Sequence, residues 1–91
     1  MVEFQEIKDQ YLSLLNRVEN EVDLNPLISP YYDYLNTFRE VFTNESNVLH
    51  KDHLKEFLIG ANRYSDEFSF SEKNNQDIRM IINTLYEILN R

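Results

Sequence analysis

Apolar residues recur at helical spacing in four stretches of the chain, with polar residues filling the faces between them. In the first stretch, Phe4, Ile7, Tyr11, Leu14, Val18 and Val22 follow at steps of three and four, and Leu15 widens the stripe. Glu6, Asp9, Asn16, Glu19 and Asn20 lie opposite. The pattern predicts an amphipathic helix from about Val2 to Val22 with one buried face. The same spacing fits a short heptad seam, which a homodimer could use, but it is too short for a long coiled coil.

Asn25-Pro26 and Ser29-Pro30 both read as an N-cap followed by proline at the first helical position. A helix begun at Pro26 would lose a backbone hydrogen bond at Pro30. The expected arrangement is therefore a turn over Pro26–Ser29 and a second helix from Pro30 to about Thr43. Tyr31, Leu35, Phe38, Val41 and Phe42 form its apolar face, with Tyr34 beside them. After the polar linker Asn44–Asn47, a third helix is predicted from about Leu49 to Tyr64, with Leu54, Phe57, Leu58, Ala61 and Tyr64 as its stripe. Gly60 lies inside it, either to let another helix approach closely or to mark fraying. A second linker covers 65–71. There Ser69 with Glu72 fits a capping box, and Ser71 is a rival N-cap. The fourth helix runs to about Leu89 and turns Ile78, Ile81, Ile82, Leu85, Ile88 and Leu89 inward.

Four helices on short links predict an all-α fold, an antiparallel up-down four-helix bundle. At 91 residues the whole chain, 1–91, is expected to be one domain. One glycine and two prolines are too few for a β-sandwich or barrel. The absence of cysteine excludes disulfides, Cys-zinc sites and thiol catalysis. No apolar run approaches the ~20 residues of a membrane span. The acidic start, Met1-Val-Glu-Phe-Gln-Glu, lacks a signal-peptide core, which points to the cytoplasm.

Charge narrows the choice of partner. Nine basic and sixteen acidic residues give a net charge of −7. Such a chain repels phosphate backbones and anionic membrane surfaces, so no direct nucleic-acid contact and at most peripheral membrane contact are expected. It suits a basic protein partner, and an acidic balance also serves solubility.

Motifs for chemistry are scarce. His50 and His53 share a helical face, but two histidines make a poor metal site, because zinc takes three or four protein ligands. The Glu-x-x-His of di-iron bundles is missing, since Asn47 and His50 stand where the glutamates would be. A single glycine rules out a phosphate-cradling loop and a Gly-x-Ser-x-Gly elbow. Asp66–Glu67 would need an apolar pocket to raise a pKa. The expectation is a protein that is not an enzyme and uses no metal or cofactor. A strip of carboxylates mimicking DNA is also a poor match, because Lys8 and Arg17 interrupt Glu3, Glu6, Asp9, Glu19, Glu21 and Asp23.

Six tyrosines and six phenylalanines carry more information. Tyr31, Tyr32 and Tyr34 cannot all point inward from one helix, so a ring such as Tyr32 is a candidate for partner contact. The run Tyr64-Ser-Asp-Glu-Phe-Ser-Phe70 mixes aromatics with acids. Phe68 and Phe70 either plug the bundle end or meet a partner.

In the C-terminal half, Leu54-x-x-Phe57-Leu58 is followed by the polar-aromatic link, by Phe68-Ser69-Phe70-Ser71, and by Ile78-Arg79-x-Ile81-x-x-x-Leu85. Over residues 54–89 this resembles the immunity proteins for pediocin-like (class IIa) bacteriocins, of the enterocin A immunity type. The resemblance implies a cytosolic four-helix bundle that protects a Gram-positive producer from its own bacteriocin. It would act at the inner membrane face by binding the bacteriocin-bound mannose phosphotransferase permease. Its match to the region that carries family specificity points to Tyr64, Asp66, Glu67, Phe68 and Phe70, then to Lys55, Arg63 and Arg79. The rival expectation is an acidic inhibitor or antitoxin that blocks a basic enzyme. A monomer or weak dimer fits either.

Overall fold

A computed structural model describes residues 2–44 and 51–90, and among them every regular element is helical. Helix α1 spans Val2–Leu24 and leads through a 3-10 turn, Pro26–Ile28, into α2, Ser29–Asn36. Short α3 covers Arg39–Thr43, α4 covers Lys51–Ser65 and α5 covers Glu72–Leu89. Helix α5 packs mainly against α1 and then against α4, while α2 packs on α1 and α4.

The apolar stripes read from the sequence become the core. Ile7, Tyr11, Leu14, Leu15 and Val18 of α1 are buried with Leu54, Phe57, Leu58 and Ala61 of α4, and with Ile78, Ile82, Leu85, Ile88 and Leu89 of α5. Tyr31, Leu35 and Phe42 fill the remaining side. The hydrophobic burial of these side chains is the main favourable contribution to folding.

A 3-10 turn forms over Pro26–Ile28, one residue shorter than expected, because Ser29 is already the first residue of α2. The Asn25 side chain accepts a hydrogen bond from the Leu27 N–H at 3.2 Å, as an N-cap does. Ser29 is not the cap expected for the next helix. Ile28 occupies that position, and α2 starts at Ser29 with no side-chain cap.

The single helix expected over Pro30–Thr43 is instead broken at Thr37-Phe38. Two side chains take carbonyls there. The Thr37 hydroxyl donates to Tyr34 O at 2.6 Å, and the buried Tyr11 hydroxyl donates to Leu35 O. The Phe38 N–H also turns to Leu35 O, three residues back, so the backbone tightens and bends. The break turns Phe42 into the core, where its ring stacks on Tyr11 at 4.5 Å.

Gly60 serves close approach. Its place in α4 lets the Tyr34 hydroxyl come so near that a Cβ there would lie 2.6 Å from it. The first residues expected in that helix, Leu49 and His50, lie outside the described residues.

Candidate functional site

The residues singled out between α4 and α5 fold around Tyr31. This ring is fully buried, and its hydroxyl donates to Ala61 O at 2.9 Å. Tyr64, Phe68 and Phe70 surround it with ring centroids 5.7, 5.4 and 5.6 Å away. Tyr64 and Phe68 also meet edge to face at 5.0 Å. These separations are those of favourable aromatic pairs. The link therefore packs Tyr64, Phe68 and Phe70, half-buried, against the core.

Its charged residues face the opposite way. Asp66 and Glu67 are exposed, as is Arg63 one turn earlier. Arg79 reaches back from α5 to Asp66, with Nη2 2.6 Å from Oδ1. Lys55 does not join this group. It lies near the other end of the α4–α5 pair, 3.2 Å from the Asn90 side chain and 3.6 Å from Asp52. Tyr32 is also elsewhere, half-buried on α2, where its hydroxyl accepts from Arg39 at 3.4 Å.

The link is fixed from a third side by Glu21, which the sequence placed only among the acids of a possible carboxylate strip. Glu21 is only 3% exposed. Its Oε1 accepts from the Ser71 N–H at 2.9 Å, from the Ser71 hydroxyl at 2.5 Å and from the Asn74 amide at 3.0 Å. The expected Ser69–Glu72 capping box is not formed. Ser71 is the N-cap residue, and its hydroxyl bonds Glu21 rather than its own helix. The start of α5 is thus capped by a carboxylate from α1, where a negative charge also suits the helix dipole. Burial alone would raise the Glu21 pKa, but the hydrogen bonds from Ser71 and Asn74 hold it below the usual carboxylate value. A signal for this role existed, because Glu21 stands seven residues after Leu14 and three after Val18, on the apolar stripe itself.

A shallow groove of about 200 Å³ runs between α4 and α5, lined by Leu58, Ile59, Asn62, Ile82, Asn83 and Tyr86. Its lining carries no carboxylate, ammonium, guanidinium or imidazole, and Tyr86 is its one titratable side chain. Among the described residues no three His, Cys, Asp or Glu side chains are grouped to hold a metal ion. His53 packs its ring on Phe38 at 5.5 Å, and its suggested companion His50 lies outside the described residues. No helix among the described residues is long and apolar enough to cross a membrane.

Comparison with known proteins gives no match to a family model, to a curated protein or to a solved structure.

Proposed function

We propose that the chain is a binding protein that acts by occlusion, in the manner of class IIa bacteriocin immunity proteins. In this reading α2 and α3 together form the second arm of an antiparallel up-down four-helix bundle. The protein works in the cytoplasm, at the inner membrane face, against a bacteriocin-bound permease. The observation that carries the reading is the α4–α5 link. Tyr64, Phe68 and Phe70 anchor it on Tyr31, while Asp66, Glu67 and Arg63 face solvent in one rigid turn. A preorganised charged turn loses little entropy on binding.

The test is protection. The chain is expressed in a sensitive Gram-positive host and challenged with a panel of pediocin-like peptides. Resistance to a member of the panel is expected, and E67K and R63E should remove it while leaving the protein folded. Sensitivity to every peptide, with folded protein present, would overturn the reading.

A second reading, an acidic inhibitor that blocks a basic protein, is favoured by one further observation. The segment 18–38 contains Glu19, Glu21, Asp23 and Asp33 but no lysine or arginine. Its binding to a basic enzyme would weaken steeply as salt rises.

A further inference from the structure

The end of the molecule where α1 passes into α2 presents two leucines to solvent. Leu24 is 77% exposed and Leu27 is 79% exposed, more than any other large apolar residue described. Fraying does not account for this. The Asn25 N–H donates to Glu21 O at 2.8 Å, the Ile28 N–H donates to Asn25 O at 3.0 Å, and the Asn25 side chain takes the Leu27 N–H. Ile28, next to Leu27, is 1% exposed and anchored in the core. The turn therefore holds Leu27 outward between two fixed points, with Leu24 one turn before it on α1. Pro26 and Pro30 beside them are also exposed.

Along the chain from Val18 to Phe38, on both sides of the pair, every charged residue is acidic. Glu19, Asp23 and Asp33 flank the leucines and are exposed. The α4–α5 link, tied to this end through Glu21 and Tyr31, adds the exposed Glu67 and Glu72. From Tyr64 to Glu72 the link has no base of its own, the exposed Lys73 follows it in the first turn of α5, and Arg79 reaches it to pair with Asp66.

We infer that Leu24 and Leu27, with their acidic rim, form a docking surface for a cationic amphipathic helix of a protein partner. The leucines supply the apolar contact and the acids select lysine and arginine on the helix flanks. Charge also decides against the other occupants. A second copy would bring the same acids face to face, and an anionic lipid surface would repel them. The proposal rests on the reading of the chain as a partner-binding protein and names one surface for that binding.

The test uses the intact chain and a synthetic Leu/Lys peptide with all leucines on one helical face. Binding is followed by fluorescence anisotropy of the labelled peptide and by backbone amide shifts. The expected results are saturable binding that weakens with salt, with shifts centred on residues 23–33. L24S/L27S should weaken it about tenfold or more, as loss of a central apolar anchor does, while I59S/M80S leaves it unchanged. Circular dichroism checks that both variants remain folded. Equal binding of a Leu/Lys peptide with scrambled order, or shifts centred on the α4–α5 groove, would overturn the proposal. So would binding to phosphatidylglycerol vesicles, a dimer that L24S/L27S dissociates, or no binding at all. The protection assay is read separately. A chain that binds the peptide here but protects no host loses the immunity reading and keeps this surface.

Discussion

Glu21 and Ser71 lie fifty positions apart in the chain, yet the Glu21 carboxylate accepts both the backbone N–H and the hydroxyl of Ser71. This pair joins the end of α1 to the start of α5 and fixes the link between α4 and α5. Replacing Glu21 by alanine leaves three part-buried donors, the Ser71 N–H, the Ser71 hydroxyl and the Asn74 amide, without their acceptor. An unsatisfied donor of this kind costs about 1–3 kcal/mol. Urea denaturation of E21A should show a loss of that size.

The same carboxylate sets a pH dependence. Its pKa in the folded protein lies below the usual carboxylate value, because the hydrogen bonds from Ser71 and Asn74 outweigh burial. A depressed folded pKa gives stability that is complete above the unfolded value and is lost as pH falls through the folded one. Stability of the wild type should therefore decline in acid, at pH values below the ordinary range of glutamate. E21Q should start less stable at neutral pH and show a shallower acid decline. Equal slopes for the two proteins would remove Glu21 from this role.

The alkaline side is governed by Tyr11 and Tyr31. Burial raises both phenols far above the ordinary tyrosine value, and it raises Tyr34 as well. A raised folded pKa gives stability that is complete below the unfolded value near 10 and falls away above it. Ultraviolet titration should find a late group of tyrosines that ionises only with unfolding. In Y11F and in Y31F the late group should lose one tyrosine each.

How far the fold was legible follows from which forces act locally. The stripes on α1, α4 and α5 were plain, since hydrophobic periodicity is a property of neighbouring residues. Asn25 as a cap and a turn starting at Pro26 were plain for the same reason, though the turn ends at Ile28. The break at Thr37-Phe38 was not, because it depends on the Tyr11 hydroxyl arriving at Leu35 O from another helix. The role of Glu21 was not legible because its partners, Ser71 and Asn74, are close only after folding. Among the candidate partner residues, the aromatic character of the link was legible. The division of Phe68 and Phe70 to the inside and Glu67 to the outside needed Tyr31 in place.

Gly60 and Tyr34 offer a sharper test of packing. Alanine at 60 should gain about 1 kcal/mol in helix propensity. Its Cβ would meet the Tyr34 hydroxyl at 2.6 Å, and that ring is held by stacking on Phe57 at 5.1 Å and by Tyr64 at 5.4 Å. G60A alone should therefore be near neutral. In a Y34F background the clash disappears and only the 3.4 Å bond to Phe57 O has been given up. There G60A should stabilise by most of that ~1 kcal/mol. A double-mutant cycle from thermal melts reads the coupling, and strict additivity would show that the close approach has no energetic weight.

Phe68 and Phe70 connect stability to function, and their variants need both readouts. Each ring packs on Tyr31, and Phe68 also packs on Tyr64. Truncating a fully buried phenylalanine costs about 3–5 kcal/mol, so these half-buried rings should cost about 1–3 kcal/mol as alanine. F68A and F70A should therefore lower the melting temperature and loosen the link together, and a loss of protection in them would not by itself locate a binding surface. E67K changes an exposed side chain of the same turn and should leave the melt within about 0.5 kcal/mol of wild type. If E67K abolishes protection at full stability, the partner reads the charged outside of the link. If only F68A and F70A abolish it, in proportion to their lost stability, the two rings support the fold and the partner binds elsewhere.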